Sequence, residues 1–390
     1  MVNARFWGVR GVYTPFTPQN LETSPPIPKE PLNYFYGECN TESIRTGLKN
    51  KYAKIKLTSV QELLLQSKEG KMFRAMLIHL SKAGWARRMV TGWSLAWKVS
   101  SRFVAGEKLE DAVRAIKTLN QKGMSATLDH LGEHTHSEAE ARQAVEHIIQ
   151  SIDAIYREGL QSGVSIKLTQ IGLSVDDILC AENLAYVMSY AQELGIFIRI
   201  DMEDSPYIDE TLHLYYWIRD QGFRDVGVVI QAYLYRSMED TKLLMQVGSR
   251  VRLVKGAYRE PPILAYPKKK DADANFDCLT ETLIAGAISN GCPPVSQNGK
   301  IPPIPAIASH DEARITFAKS AASRAGLPKE AIEFQLLYGI RRDLQDSLLT
   351  EGYPIRVYVP YGTEWYPYFM RRLAERPANL WFFISNLFRK

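Results

Sequence analysis

Val226-Gly-Val-Val-Ile230, closed by Gln231, and Val251-Arg-Leu-Val254, closed by Lys255, are the runs on which the fold turns. Each is short, rich in Val and ends on a polar or charged side chain. Near-continuous β-branched runs of this kind suit strands buried on both faces, as in parallel sheets. The pattern recurs at Met124–Leu128, Val164–Leu168, Ile196–Ile200, Pro305–Ala308, Ile332–Leu336 and Ile355–Val359, which makes eight runs. Helical patterns lie between them, Ala139–Glu158 and Asp311–Ala325 among them. Strand–helix alternation implies parallel pairing, and eight units over roughly 260 residues is the size of a (βα)8 barrel. An open doubly wound sheet is the competing architecture, but no Gly-x-Gly-x-x-Gly follows an early strand, which counts against a Rossmann domain. The long gap from Arg259 to Ile304, with Pro-Lys-Lys-Lys and Cys-Pro-Pro turns, predicts an insertion after the fifth strand.

Working outward, 390 residues with 45% hydrophobic content leave room for a sizeable core and exclude wholesale disorder. A net charge of +5 is too small and too dispersed to argue for nucleic acid. Cys39, Cys180, Cys278 and Cys292 form no Cys-x-x-Cys pair, which points to reduced thiols in a cytoplasmic protein. No apolar run reaches the ~20 residues a membrane span needs. The tail, Leu380-Trp-Phe-Phe-Ile384 with Arg389 and Lys390 at its end, reads as a helix packed on its own domain or lying on a membrane surface.

Six prolines between Thr14 and Pro31 mark an extended segment within a leader, 1–58. The stretch before it, Ala4 to Gly11, resembles the opening strand of metallo-β-lactamase-fold hydrolases. No His-x-His-x-Asp-His run follows to bind their metals. Helical spacing of Met72, Met76, Leu77 and Leu80 predicts a helical arm over 59–118, ahead of a barrel over 119–390.

Barrel enzymes carry their chemistry at the C-terminal ends of the strands. Six successive runs end on or near Asp129, Lys167, Asp201, Gln231, Lys255 and His310, a ring that predicts a site. Lys167 reads either as neutralising Asp201 or as pairing with it against a substrate. Lys255 reads as a Schiff-base lysine, as in a lyase or aldolase, or as a fixed cation. His130, His134 and His136 match no standard zinc spacing and read as structural, so no metal is expected. In Trp365–Glu375, the residues Tyr368, Arg371, Arg372 and Glu375 share one helix face. That face is either solvated or a fork for a carboxylate, which guanidinium binds bidentately.

These residues are also where a family becomes visible. Ser165-Ile-Lys-Leu168, Arg199-Ile-Asp-Met-Glu203, Val229-Ile-Gln-Ala-Tyr233 and Arg252-Leu-Val-Lys-Gly-Ala-Tyr258 resemble proline dehydrogenase. So do Ala308-Ser-His-Asp311, Glu333-Phe-Gln-Leu-Leu-Tyr-Gly339, Arg356-Val-Tyr-Val-Pro-Tyr-Gly362 and Tyr368-Phe-Met-Arg-Arg-Leu-Ala-Glu375, in that order. The resemblance covers about Thr118 to Asn379 and implies a distorted (βα)8 TIM-type barrel with its last helix over the mouth.

By the resemblance, Asp201, Arg252 and Lys255 are catalytic. Arg371 and Arg372 bind the carboxylate of L-proline, and Glu375 holds an arginine in place. Lys167, Asp201, Tyr258, Leu336, Tyr358 and Tyr368 shape the pocket. Met202, Gln231, Arg252, Lys255, Gly256, Ala257, Ser309 and His310 contact a flavin, by family norm FAD rather than FMN. The implied reaction is hydride transfer from proline to the flavin, giving Δ1-pyrroline-5-carboxylate, with electrons passed to a membrane quinone. No aldehyde-dehydrogenase signature follows, so the chain resembles the monofunctional form. Two positions depart from the family: Arg259 where Trp is common, and Ser309 where Thr is usual. Tyr358 favours proline over hydroxyproline. The alternatives from other classes are a Schiff-base lyase or aldolase using Lys255 or Lys167, and a degenerate barrel acting as a binding module.

Overall fold

The computed structural model describes residues 100–375, with side chains described through Arg371. The leader 1–58, the arm before residue 100, and the tail from Leu380 lie outside the described residues. Helix α1 (Leu109–Gln121) leads into β1 (Ser125–His130), α2 (Glu138–Arg157), β2 (Ser162–Ile166), α3 (Asp177–Glu193) and β3 (Ile198–Ile200). Then come α4 (Ile208–Asp220), β4 (Val226–Gln231), α5 (Ser237–Gln246), β5 (Arg250–Val254), α6 (Lys269–Ser289) and β6 (Pro305–Ala308). The chain continues with α7 (Glu312–Arg324), β7 (Glu333–Leu337), α8 (Arg342–Thr350), β8 (Ile355–Tyr361) and α9 (Trp365–Glu375).

The eight strands close into a parallel barrel in sequence order, β8 pairing with β1 through registers such as Leu128 with Val359. All eight predicted runs are strands, shifted by no more than two residues at an end. The expected insertion is a different object. Its centre is α6, an ordinary barrel helix of 21 residues that buries Phe276, Leu279, Leu283 and Ala287. The turn signals at Pro267 and at Cys292-Pro-Pro294 lie at its two ends and concealed it.

Local chemistry starts the helices where the loops need them to start. Ser137 caps α2 by accepting from the Glu140 N–H, Asp176 caps α3 through the Leu179 N–H, and Asp311 caps α7 through the Ala313 N–H. Each cap satisfies a donor that the helix itself leaves unpaired. On α2, Ala141, Val145, Ile148, Ile152 and Ile155 are buried at helical spacing, so the apolar stripe faces the strands.

The ring of helices has one exchange. Helix α1 packs on β1 and β8, the slot that a helix following β8 would otherwise fill. That leaves α9 free to lie elsewhere. Trp365 Nε1 donates to Glu107 at 3.0 Å, and the Trp365 and Phe369 rings pack together and onto Phe103. The 104–106 segment is tied to the end of β8 by the Ala105 N–H to Pro360 and by the Gly362 N–H to Gly106. Helix α9 is thereby held at the C-terminal end of the barrel.

The barrel interior is polar, where such barrels usually hold layers of Val, Ile and Leu. Successive strand residues face opposite sides, and Asp129, Ser165, Lys167, Asp201, Arg252, Gln335, Glu333, Arg356 and Tyr358 bond to one another across the inside. Gly227 of β4 gives this interior its clearance. A Cβ there would collide with the Arg199 guanidinium, the Arg250 carbonyl and the Phe197 ring. Gly227→Ala should cost ~1–3 kcal/mol by overpacking, seen as a lower urea midpoint. An unchanged midpoint would mean that β5 yields to the methyl group.

Candidate active site

The strand ends of β1, β2, β3, β5 and β8 converge on one carboxylate. Asp201 Oδ1 accepts from Arg252 Nη1 at 2.7 Å and from Ser165 Oγ at 3.2 Å. Its Oδ2 accepts from the Tyr358 hydroxyl at 2.9 Å and lies 3.8 Å from Lys167 Nζ. Lys167 also reaches Asp129 Oδ1 at 3.4 Å, and Asp129 Oδ2 has no hydrogen-bond partner. The Arg252 guanidinium sits over the Tyr358 ring, 5.2 Å from its centroid, a cation–π contact strengthened by burial.

The electrostatics fix the protonation states. Burial alone would pull the Lys167 ammonium down, but Asp129 and Asp201 outweigh it and hold its pKa above the usual lysine value. Burial raises Asp129 against the attraction of Lys167, and burial pushes the Tyr358 phenol well up. Lys167 is therefore a charged cation, the reverse of the neutral amine a Schiff base requires.

Helix α9 reaches the same mouth. Arg371 forks onto Glu133 of the β1–α2 loop, Nη2 to Oε1 at 2.6 Å and Nη1 to Oε2 at 3.1 Å. Burial raises Glu133, but Arg371 and Lys167 overcome it and leave the carboxyl below its ordinary value. Arg371 thus forms a bidentate clamp on an internal carboxylate. Tyr368 is buried on the same helix. Tyr258 is half-buried and feels the charges of Glu133, Glu203 and Arg371, so it belongs to this mouth. The Arg372 and Glu375 side chains lie outside the described residues.

Two expected site residues are placed differently. Lys255 follows Val254, which is in register with Gln231, and it turns outward. Its ammonium pairs with Asp273 of α6 at 2.5 Å and with Asp311 at 2.6 Å. The Lys255 ammonium thus lies between two helix ends and makes none of its ion pairs with Asp201. Leu336 lies on the outer face of β7, in register with Val357, because Glu333 and Gln335 face inward. The inward position is Leu337, opposite Tyr358.

The expected flavin contacts form a different strip, around the ends of β4, β5 and β6. Gln231 Nε2 donates to the Glu203 carbonyl at 2.8 Å, Ser309 Oγ accepts from the Asp311 N–H at 3.1 Å, and His310 Nε2 accepts from the Leu337 N–H at 3.0 Å. Met202 is buried. Gly256 has φ +122°, a conformation suited to glycine, and a Cβ there would enter the Tyr233 ring, so the glycine lets Tyr233 close against this turn, beside exposed Ala257. Gly256, Ala257 and Ser309 leave only short side chains along this strip, and Arg252 on the same strand as its β5 portion is a cation fixed by Asp201; short side chains and a fixed cation suit an electron-accepting ring system.

A family model described as proline dehydrogenase matches residues 112–384. The chain belongs to the proline dehydrogenase family. It is 42% identical to proline dehydrogenase 1 of Bacillus subtilis subsp. natto over 290 residues, 74% of this chain and 90% of that one. It is 40% identical to the proline dehydrogenase of Deinococcus radiodurans over 298 residues, 75% of this chain and 91% of that one. Among solved structures, proline utilization A of Bdellovibrio bacteriovorus is similar with TM-score 0.66 and 25% identity, over 86% of this chain and 40% of that chain. The proline dehydrogenases are flavin-dependent, and the short side chains of the strip above fit that requirement.

Among the described residues, no three His, Cys, Asp or Glu side chains are arranged to hold a metal ion. His130 stacks on His147 and Tyr361, at 4.5 Å and 5.1 Å between centroids, and burial lowers it to about 4. None of the described helices is long and apolar enough to cross a membrane.

Two acids at the mouth, Glu133 and Glu203, had no role assigned from the sequence. Glu133 sits inside the histidine-rich 129–136 stretch, where the histidines drew attention. Glu203 is buried beside the site, accepting from the Thr169 N–H at 3.0 Å and from its hydroxyl. Burial pushes the Glu203 carboxyl up to about 7, against the pull of both Thr169 bonds. The folded state therefore favours the protonated acid. Its contribution is full below the ordinary glutamate value, about 4.3, and is lost as pH rises through about 7. Thermal melts of the wild type should fall relative to Glu203→Gln across that window. A difference independent of pH would contradict the raised value.

Proposed function

We propose that this chain oxidises L-proline to Δ1-pyrroline-5-carboxylate, the first step of proline breakdown, in the pocket between the strand ends and α9. The reading rests on one juxtaposition: an Arg371 fork for a carboxylate stands at the mouth above the Asp201–Arg252–Lys167–Tyr358 group. A bound flavin, FAD in this proposal, would supply the hydride-accepting chemistry for oxidation of the ring carbon beside the proline nitrogen. The chain supplies position and charge.

Arg371, with Arg372 beside it in sequence, takes the proline carboxylate. To do so Arg371 exchanges Glu133 for the substrate, one carboxylate for another, so the clamp is formed before substrate arrives. Lys167 stays charged and faces the pocket as a fixed cation held by Asp129 and Asp201. The Tyr358 hydroxyl, donating to Asp201, sets the wall against which the ring lies. Tyr368 and Tyr258 close the sides, and α9 covers the mouth and keeps water out. Arg252, its direction fixed by Asp201, would offset the negative charge that a reduced flavin carries. Gln231, Gly256, Ala257, Ser309 and His310 would hold the cofactor, with Lys255 beyond them.

Electrons then pass to a membrane quinone, which places the working enzyme in the cytoplasm at the inner membrane face. The aromatic tail is the candidate contact.

Mixed anaerobically with L-proline, the purified yellow protein should bleach and release pyrroline-5-carboxylate; a colourless protein trapped by borohydride with an aldehyde would overturn the reading. Arg371→Ala removes a charge-assisted contact worth ~1.5–3 kcal/mol, so KM for proline should rise about 10- to 150-fold. An unchanged KM would refute the clamp.

A further inference from the structure

Below the site, the barrel interior holds a buried polar chain that the reaction itself does not touch. Arg252 uses Nη1 for Asp201, and its Nε donates to Gln335 Oε1 at 2.6 Å. Gln335 Nε2 in turn donates to Glu333 Oε1 at 2.6 Å. Glu333 is clamped by Arg356 Nε at 2.9 Å and 3.2 Å to its two oxygens, and Arg356 is anchored on the Ala126 and Gly299 carbonyls at 2.8 Å and 2.9 Å. Glu333, Gln335 and Arg356 are all buried. The Gly299 loop precedes β6, so this chain runs from the strand ends to the opposite end of the barrel.

The order of the chain is forced. A flipped Gln335 amide would set NH2 against the guanidinium N–H and its carbonyl against the Glu333 carboxylate, two repulsions in a site closed to water. Glu333 therefore dictates that Gln335 presents an acceptor to Arg252. Without Gln335 the guanidinium is hydrogen-bonded through Nη1 alone, to Asp201 and to Ser165 Oγ at 3.2 Å, and can pivot about that nitrogen across the face of the Tyr358 ring. A second acceptor on Nε, in a different direction, fixes the plane of the group.

We propose that Gln335, locked by Glu333, is a positioning residue that fixes the plane of Arg252 for the oxidative step. This rests on the proposed role of Arg252 in the proline dehydrogenase reaction. Gln335 touches neither substrate nor cofactor in this reading. Its effect should appear in the rate of flavin reduction and not in the capture of proline, which belongs to Arg371.

The test compares Gln335→Met, Gln335→Asn, Arg252→Met and the double variant Arg252→Met/Gln335→Met in the flavin-loaded protein, by rapid mixing with L-proline. Gln335→Met should slow reduction at saturating proline by about tenfold, the loss of one buried hydrogen bond. KM should stay within about twofold, the limit of a change confined to the chemical step. Gln335→Asn draws the amide back without removing it and should show a smaller loss of the same kind, which covers the case in which the Met variant fails to fold. The double variant should be no slower than Arg252→Met alone, since residues acting as one unit are not additive.

A second readout does not depend on turnover. In protein labelled at arginine, the Arg252 Nε–H signal should be protected from solvent exchange in the wild type and lose that protection in Gln335→Met. A Gln335 variant that lowers affinity for proline while sparing the rate overturns the proposal, as does additivity with Arg252→Met. If Arg252→Met leaves reduction unchanged, the role of Arg252 itself falls, and the exchange measurement reports separately whether Gln335 held the group.

Discussion

The ion pair between Arg252 and Asp201, 2.7 Å apart inside a closed barrel, is the contact on which the site depends. Taking either charge out of water costs several kcal/mol, repaid only if geometry is good and the remaining hydrogen-bonding positions are filled. Every neighbour contributes to that condition. Ser165 and Tyr358 fill Asp201, Gln335 fills Arg252, and the Tyr358 ring lies against the guanidinium face. A barrel filled with aliphatic layers would pack more simply. This one holds buried charge, and its strand ends thereby present a fixed cation and a fixed carboxylate side by side.

The second constraint is the position of the last helix. Helix α1 occupies the slot between β8 and β1, and the Trp365–Glu107 and Trp365–Phe369–Phe103 contacts hold α9 at the C-terminal end of the barrel. Sequence, packing and chemistry meet at one ion pair there. Arg371 and Glu133 come from elements far apart in the chain, yet they form a bidentate clamp at the mouth. Membership of the proline dehydrogenase family fits a mouth that holds a guanidinium fork for a carboxylate.

Much of the fold was legible because fully buried strands write themselves as short Val- and Ile-rich runs, and all eight runs are strands. Helix α6 was not, because turn signals at both ends disguised a regular barrel helix as an insertion. The polar residues at strand ends announced a site, and Lys167, Asp201, Arg252 and Tyr358 do come together. What single-sequence reading could not supply was the inward or outward sense of each position. A one-residue change in parity separates Leu336 from Leu337, and it turns Lys255 toward Asp273 and Asp311. Pairing across the barrel was equally invisible. Glu133, Gln335 and Glu333 gain their roles from partners that only strand register and loop position bring near.

The most direct measurement is the midpoint potential of the bound flavin in Arg252→Met against the wild type. If Arg252, fixed by Asp201, lies beside the flavin as proposed, it stabilises the reduced, anionic form, so removing it should lower the potential by about 30 mV or more, a tenfold shift for a two-electron couple. An unchanged potential would contradict the placement of Arg252 and the dependence of the site on its pairing with Asp201.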